Sequence, residues 1–387
     1  MPAEFLPGNR LTLLENGVEF FPALIGAIDA ARRDVHLESY LFENDDTGRS
    51  VAGALIAAAR RGVKVRLLVD GFGAPAFSRT LMPALADAGV MAVVYRPETS
   101  RFRLRRHRLR RLHRKLAVID GQIAFVGGIN IIDDHDAGER LPRYDYAVRI
   151  EGPLLVPIER AVRRLWEIVS WVSHKRRFRS ERSAATAPPL RGGEQEAAFL
   201  VRDNIRHRRD IEDVYLAAIA NARTSILIAN AYFLPGRRFR RALTDAARRG
   251  VAVTILLQGR IEYRLLHYAT QALYGQLLGA GIRVFEYRRS FLHAKVAVID
   301  AHWATVGSSN IDPFSLLLAR EANVVVRDAQ FAGQLRESLE QALRVGGEEL
   351  ALHSWRQLPW FVSALRWASY NLIRLAIGVA GYRRQDA

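Results

Sequence analysis

No cysteine occurs in this 387-residue chain. Disulfides and cysteine-held metals are therefore excluded, a usage that fits a reducing compartment. The amino terminus, MPAEFLPGNRLTLLENG, has no basic segment leading into an apolar run. No signal peptide is expected there, and the body of the protein is expected on the cytoplasmic side. Acids are scarce relative to bases: 40 Asp and Glu face 57 Lys and Arg, a net charge of +17. Such an excess attracts polyanions, either nucleic acid or an anionic membrane face, and charge alone does not separate the two.

The shortage of acid is total in RFRLRRHRLRRLHRK, residues 101–115, which carries eight arginines and one lysine. Its one aromatic, Phe102, gives no platform for base stacking. The run reads as a landing strip for anionic headgroups, at about 1 kcal/mol per basic residue near the surface. His107 within it reads as a surface residue.

A long charge-free apolar run is also missing. The best candidate, LPWFVSALRWASYNLIRLAIGVAGYRR (358–384), contains Arg366 and Arg374 before its basic end. At mid-bilayer these two would cost roughly 5–7 kcal/mol together, against about 3–5 returned by its Leu, Ile, Phe and Val residues. A helix lying in the interface is the better expectation, with Trp360, Trp367 and Tyr370 at headgroup depth. Arg356, Arg366 and Arg374 fall within about 80° on a helical wheel, although Ile373 and Ile377 lie on or beside that stripe.

What is present is a globular composition, 49% hydrophobic and 25% charged, long enough for two domains. The chain also repeats itself. AARRGV occurs at 58–63 and 246–251, each time leading into an apolar strand, VKVRLLVDG or VAVTILLQG. DVHLESYLF (34–42) pairs with SILIANAYF (225–233), and GVMAVVYRP (89–97) with GIRVFEYRR (281–289). LHRKLAVIDGQIAFVGGIN (112–130) then returns as LHAKVAVIDAHWATVGSSN (292–310), residue for residue 180 positions later. Each half is expected to be an α/β layered unit. The first half is placed at 1–173, an Arg-, Ser-, Pro- and Gly-rich linker at 174–197, the second half at 198–345 and a membrane-associating tail at 346–387. The repeated polar residues favour one shared site at a pseudo-two-fold axis.

Residues two apart on a strand face one side, so His113 points with Lys115, and His293 with Lys295. Asp120 and Asp300 lie an odd seven residues from their histidines. A straight strand turns them to the other face, where a structural role at the strand end is expected. Asp120-Gly121 between apolar runs signals a hairpin; Asp300-Ala301 is a weaker signal. The following glycines permit close backbone approach, and Asn130 and Asn310 can aim amides into the same pocket. Facing pairs of His, Lys and Asn suit a phosphodiester. Lysines and asparagines stabilise the developing phosphorane oxygens. One histidine attacks phosphorus, and the other protonates the leaving alcohol and deprotonates the incoming one. The lysines supply the positive charge, so neither metal nor cofactor is expected. A carboxylate is needed to orient such a histidine, and Asp145 and Glu321, each at the start of the strand after its motif, are the candidates.

HxKxxxxD followed by a Gly/Ser-rich turn and Asn, in two copies, resembles the signature of the phospholipase D superfamily. HRKLAVIDGQIAFVGGIN, DYAVRIEGP, ANAYFLPG and HWATVGSSNIDPFSL together resemble bacterial cardiolipin synthases of the B type, over about residues 8 to 345. The resemblance implies two tandem α/β/α sandwich halves with the active site at their interface. It puts Asp120 and Asp300 in the signature set with His113, Lys115, Asn130, His293, Lys295 and Asn310. It also implies transfer of the phosphatidyl group of phosphatidylglycerol through a phosphohistidine to a second phosphatidylglycerol. His113 is then the nucleophile and His293 the acid/base, although the sequence itself is symmetric on this point. The expected partners are phosphatidylglycerol and other anionic phospholipids, met at the cytoplasmic face of the inner membrane through the tail and the basic run, with no nucleic acid. Alternatives are a hydrolytic phosphodiesterase (phospholipase or nuclease) of the same superfamily and a non-catalytic basic binding module. The intact histidine pairs argue against the last.

Overall fold

A computed structural model describes residues 3–97, 111–134, 141–172, 192–203, 207–312, 319–357 and 359–379. The basic run at 101–110, His107 and most of the expected linker lie outside the described residues.

The first half contributes strands β1 (Leu6–Glu15), β2 (Asp34–Ser39), β3 (Lys64–Asp70), β4 (Met91–Tyr95), β5 (Lys115–Ile119), β6 (Ile123–Gly127) and β7 (Tyr146–Glu151). The second contributes β8 (Gln195–Arg202), β9 (Ser225–Asn230), β10 (Ala252–Gln258), β11 (Arg283–Tyr287), β12 (Lys295–Ile299), β13 (Trp303–Gly307), β14 (Glu321–Arg327) and β15 (Gly347–Glu349). All fifteen join one sheet in the order β15-β11-β10-β9-β12-β13-β14-β8-β1-β7-β6-β5-β2-β3-β4. Reading outward from the β8–β1 junction, the two wings repeat each other strand for strand, with β15 as the only addition among the described residues. The parallel strands β2–β3–β4 and β9–β10–β11 lie toward the edges. The antiparallel β5–β6–β7 and β12–β13–β14 lie toward the centre.

Helices cover both faces, which is why the strand sequences read as continuous apolar runs. On one face, helices Asn16–Ala30 and Asp46–Arg60 bury Leu24, Ile28, Val51 and Leu55 against Leu37, Val65 and Phe125. The second half repeats this with Ile219, Phe239 and Leu243 against Ile228, Ile255 and Val284. On the other face, helices Leu155–Val172 and Ala329–Gly346 share a single core. Ile158, Val162, Leu335 and Leu339 pack there with strand residues of both halves. Each such Leu or Ile side chain contributes about 1.5–3 kcal/mol when fully buried. The shared core therefore holds the two halves in fixed register.

Two expectations change. The segment read as linker ends early, because β8 begins at Gln195 and pairs antiparallel with β1 through Leu6↔Ala197 and Asn9↔Gln195. The tail begins as sheet, with Phe285↔Glu349 joining β15 to the β11 edge. Beyond it, helix Trp360–Val379 packs against helix Arg264–Gln271. Arg366 is not on a solvent stripe. It is 9% exposed, its Nε donates to Gln271 Oε1 at 2.9 Å, and its guanidinium lies 4.0 Å from the Trp355 ring centre. Tyr370 also turns inward, accepting from Arg240 Nη1 at 3.2 Å. Trp360 and Trp367 are exposed at 81% and 68%. Among the described residues no helix is long and apolar enough to cross a membrane.

Candidate active site

The two HxK motifs enter their strands at the same end of the sheet. His113 and His293 sit just ahead of β5 and β12, whose first residues are Lys115 and Lys295. The halves exchange backbone contacts there. The N–H of His113 donates to Arg320 O at 3.0 Å, and that of His293 donates to Tyr144 O at 2.8 Å. Isolated bridges Leu112↔Arg320 and Tyr144↔Leu292 flank these bonds. The next residue along each crossing segment is a carboxylate, Glu321 or Asp145.

Each carboxylate therefore serves the histidine of the other half. Glu321 takes His113 Nδ1 with both oxygens, at 2.9 and 3.0 Å. Asp145 Oδ2 lies 2.6 Å from His293 Nδ1. With Nδ1 engaged, the Nε2 edge of each ring is left to face a substrate. Sequence spacing suggested the carboxylates but not this crossing.

The lysines are buried, Lys115 at 5% and Lys295 at 0% exposure. Lys115 Nζ donates to His113 O at 2.8 Å and sits 5.4 Å from the Tyr40 ring centre. Lys295 Nζ bonds the carbonyl of His293, lies 2.8 Å from that ring's Nδ1 and 3.5 Å from Asp145 Oδ2. Burial disfavours charge on every cation here. It lowers Lys115 to about 7, with help from Lys295. It lowers Lys295 to about 8 against the pull of Asp145 and Glu321. Burial and the neighbouring lysine charges hold both histidines below their ordinary value, His293 at about 3. Asp145 is pushed up by burial, but Lys295 and His293 outweigh this and keep it below the usual carboxylate range. The resting site thus pairs neutral imidazoles with anchored carboxylates.

The turns after β6 and β13 are fitted to their carboxylates. A Cβ on Gly128 would lie 2.3 Å from Asp145 Oδ1, so only glycine admits the aspartate. At the equivalent place Ser308 Oγ donates to Glu321 Oε2 at 2.6 Å and accepts from Ala322 N at 3.0 Å. Asn130 and Asn310 complete the repeat. Their amide oxygens accept from Leu41 N and Tyr232 N, both at 3.3 Å, which fixes the two amides alike.

The symmetry extends to the comparisons. A family model described as "Cardiolipin synthase, PLD-like domain" matches residues 24–153 and, a second time, 215–343. The chain belongs to this family. It is 41% identical over 350 residues to cardiolipin synthase B of Escherichia coli strain K12, covering 88% of this chain and 81% of that one. A probable cardiolipin synthase of Bacillus subtilis strain 168 is 31% identical, over 87% of this chain and 66% of the relative. Among solved structures, phosphatidylserine synthase of Haemophilus influenzae Rd KW20 superposes with a TM-score of 0.69 at 15% identity, covering 98% of this chain and 96% of that one. Polyphosphate kinase of Porphyromonas gingivalis gives 0.58 at 15% identity, over 96% of this chain and 53% of that one. At such identity these two speak for the fold alone. Membership makes this chain a phospholipase D-type phosphatidyltransferase.

The resemblance places Asp120 and Asp300 in the signature set, yet the fold keeps both away from the histidines. They follow β5 and β12 at the far ends of those strands, with φ of 53° and 52°. Asp120 accepts the backbone N–H groups of Arg32, Arg33 and Asp34, each at 2.8 Å. Asp300 accepts those of Arg223, Thr224 and Ser225. They tie the hairpin to the start of β2 or β9, the structural role that strand alternation gives them.

Two members of the basic run are also internal. Arg114 is 4% exposed and forks onto Glu38, with Nη2 to Oε1 at 2.8 Å and Nε to Oε2. Lys115 belongs to the site. Neither is exposed to headgroups at the membrane surface. Sequence reasoning missed Tyr40, whose ring packs edge-on to His113 with centroids 4.8 Å apart. It also missed Arg143, whose charge reaches Lys295 and Tyr232. Tyr40 has no counterpart at the matching repeat position, Ala231, and Arg143 lies between motifs, so neither carried a signal.

Proposed function

We propose that this chain makes cardiolipin from two molecules of phosphatidylglycerol, with a phosphohistidine between the two steps. One observation carries the reading: crossed carboxylate–histidine pairs from two halves, with two buried lysines between them. In the first step His113 Nε2 attacks phosphorus of the donor. The N–P bond forms, the P–O bond to glycerol breaks, and His293 gives its Nε2 proton to the departing glycerol oxygen. In the second step His293 takes the proton of the acceptor's glycerol hydroxyl. The new O–P bond forms and His113 is released unchanged. A neutral His113 suits attack. His293 must be protonated first, and a phosphodiester anion entering among the lysines offsets the burial and the lysine repulsion that hold it neutral. Lys115, Lys295, Asn130 and Asn310 stabilise the oxygens of the phosphorane. Glu321 and Asp145 hold the two imidazoles and balance their charge in the transition state.

The scheme calls on no cofactor or metal and on no nucleic acid. Its substrates lie in the inner membrane, and the enzyme is read as peripheral on the cytoplasmic face, with the exposed Trp360 and Trp367 side of the last helix toward lipid. Purified protein given phosphatidylglycerol vesicles should yield cardiolipin and free glycerol by mass spectrometry. Phosphatidic acid alone would make the enzyme a hydrolase, since water and alcohol compete for the same intermediate, and would overturn the synthase reading.

A further inference from the structure

Helix Arg237–Arg248, RRFRRALTDAAR, breaks a rule that its repeat partner obeys. Helix Asp46–Arg60 begins with Asp45 capping Gly48 N at 2.7 Å, has Asp46 in its first turn and keeps Arg60 for its last. That arrangement matches the positive N-terminal and negative C-terminal ends of a helix dipole. In the second half the first turn has no acid, Gly236 offers no side-chain cap, and four of the first five residues are arginine. Positive side chains are thus crowded onto the positive end of a helix, and an anion is the natural complement.

The same helix lines a groove of about 400 Å³. Arg237, Arg240, Arg241 and Arg248 face it, with Thr244 and Gln276. Arg237 and Arg241 are exposed and have no ion-pair partner among the described residues. Arg248 is paired to Asp245 at 3.0 Å. Arg240 is different: it is 8% exposed, and its Nη1 donates to Pro235 O at 2.8 Å and to Tyr370 Oη at 3.2 Å. Its buried Nε has no partner among the described residues. Arg240, fixed this deep on the wall, keeps its guanidinium charge beside the groove, and the exposed Arg237, Arg241 and Arg248 are the donors open to a ligand that accepts hydrogen bonds.

The location points to the source of that ligand. Tyr370 belongs to the last helix, and its ring lies 5.9 Å from the Arg240 guanidinium and 5.6 Å from that of Arg374. The adjoining face of this helix presents Trp360, Trp367 and Leu375 to solvent, the last at 65% exposure. A cationic groove joined to an exposed apolar helix face matches a leaflet with a phosphate plane above its acyl chains. Among the described residues no aromatic ring lines the groove to stack a base.

We infer that the Arg237–Arg248 groove is a second anion site, apart from the histidines, that holds the phosphodiester headgroup of an anionic phospholipid and docks the last helix on the membrane. The inference extends the proposed membrane-facing reading of this enzyme. The test is the triple variant Arg237→Gln, Arg241→Gln, Arg248→Gln, which leaves Arg240 and the histidine site untouched. Sedimentation with phosphatidylcholine vesicles, with and without phosphatidylglycerol, should show a roughly 10- to 100-fold weaker partition of the variant onto the anionic vesicles only. Turnover of detergent-dispersed phosphatidylglycerol should stay at the wild-type rate, which also reports an intact fold and tests the proposed chemistry separately. Unchanged vesicle partition would overturn the inference. So would a variant that loses inorganic phosphate binding, or oligonucleotide binding, while keeping its partition onto anionic vesicles. The groove would then be a site for free phosphate or for nucleic acid.

Discussion

Replacing Asp145 by Asn should disable the histidine of the opposite half. The substitution keeps the shape of the side chain and removes its charge, 2.6 Å from His293 Nδ1 and 3.5 Å from Lys295 Nζ. At an effective dielectric near 20, a unit charge about 4 Å away is worth about 4 kcal/mol. A loss of that size from the transition state slows turnover by about 10³-fold. The crossing of the pairs makes the prediction sharper than a rate. A phosphatidyl ester of 4-nitrophenol needs no proton on its leaving group, so the first step no longer depends on the acid. With this substrate Asp145→Asn and His293→Ala should still release a stoichiometric burst of nitrophenol and trap the phosphatidyl group on His113. Glu321→Gln and His113→Ala should lose the burst. The opposite pattern would make His293 the nucleophile. A loss confined to His113 in Asp145→Asn would refute the crossed assignment.

Other outcomes follow from the same geometry. Lys115 near 7 and Lys295 near 8 shed protons far below the ordinary lysine value, so kcat/KM should fall as pH rises through about 7–8; a rate flat to pH 10 would show that their charge is not needed. Asp120→Ala and Asp300→Ala each strand three backbone donors, at about 1–3 kcal/mol of stability; the melting temperature should fall while the rate of the folded fraction is retained. Burial raises the Glu38 carboxyl, but Arg114 and His36 outweigh it and hold it at about 2. Because that value is lowered, its stabilisation is complete above the unfolded value and is lost as pH falls from about 4.5 toward 2, roughly 3 kcal/mol. Arg114→Met should strand the carboxylate, at about 3–5 kcal/mol, and flatten acid denaturation in that window. A chelator should leave the rate unchanged, because the lysines already provide the charge at phosphorus; a loss restored by one divalent cation would contradict this.

Much of this site was legible because a repeat doubles every signal. His113 and His293 recur with Lys, Gly and Asn at one offset, and strand alternation alone sent Asp120 and Asp300 to the other face. The crossing of Glu321 and Asp145 was hidden for a physical reason. Their spacing to the motifs is local, whereas the pairing is set by the bridges Leu112↔Arg320 and Tyr144↔Leu292, which exist only once two halves dock. Arg114 and Arg366 were misread for a related reason. Each looks like one more charge in a basic stretch, and only the fold brings Glu38 or Gln271 and Trp355 to it. The arginines of 237–248 carried the reverse lesson. Their sequence looks like an ordinary basic helix until it is set beside helix Asp46–Arg60, where the same position in the repeat obeys the dipole rule. A duplicated fold supplies its own control: where the copies agree they report what folding and chemistry require of both halves. Where they differ, as at Gly128 and Ser308, Asp145 and Glu321, or the two helix starts, they report what each half was given separately to do.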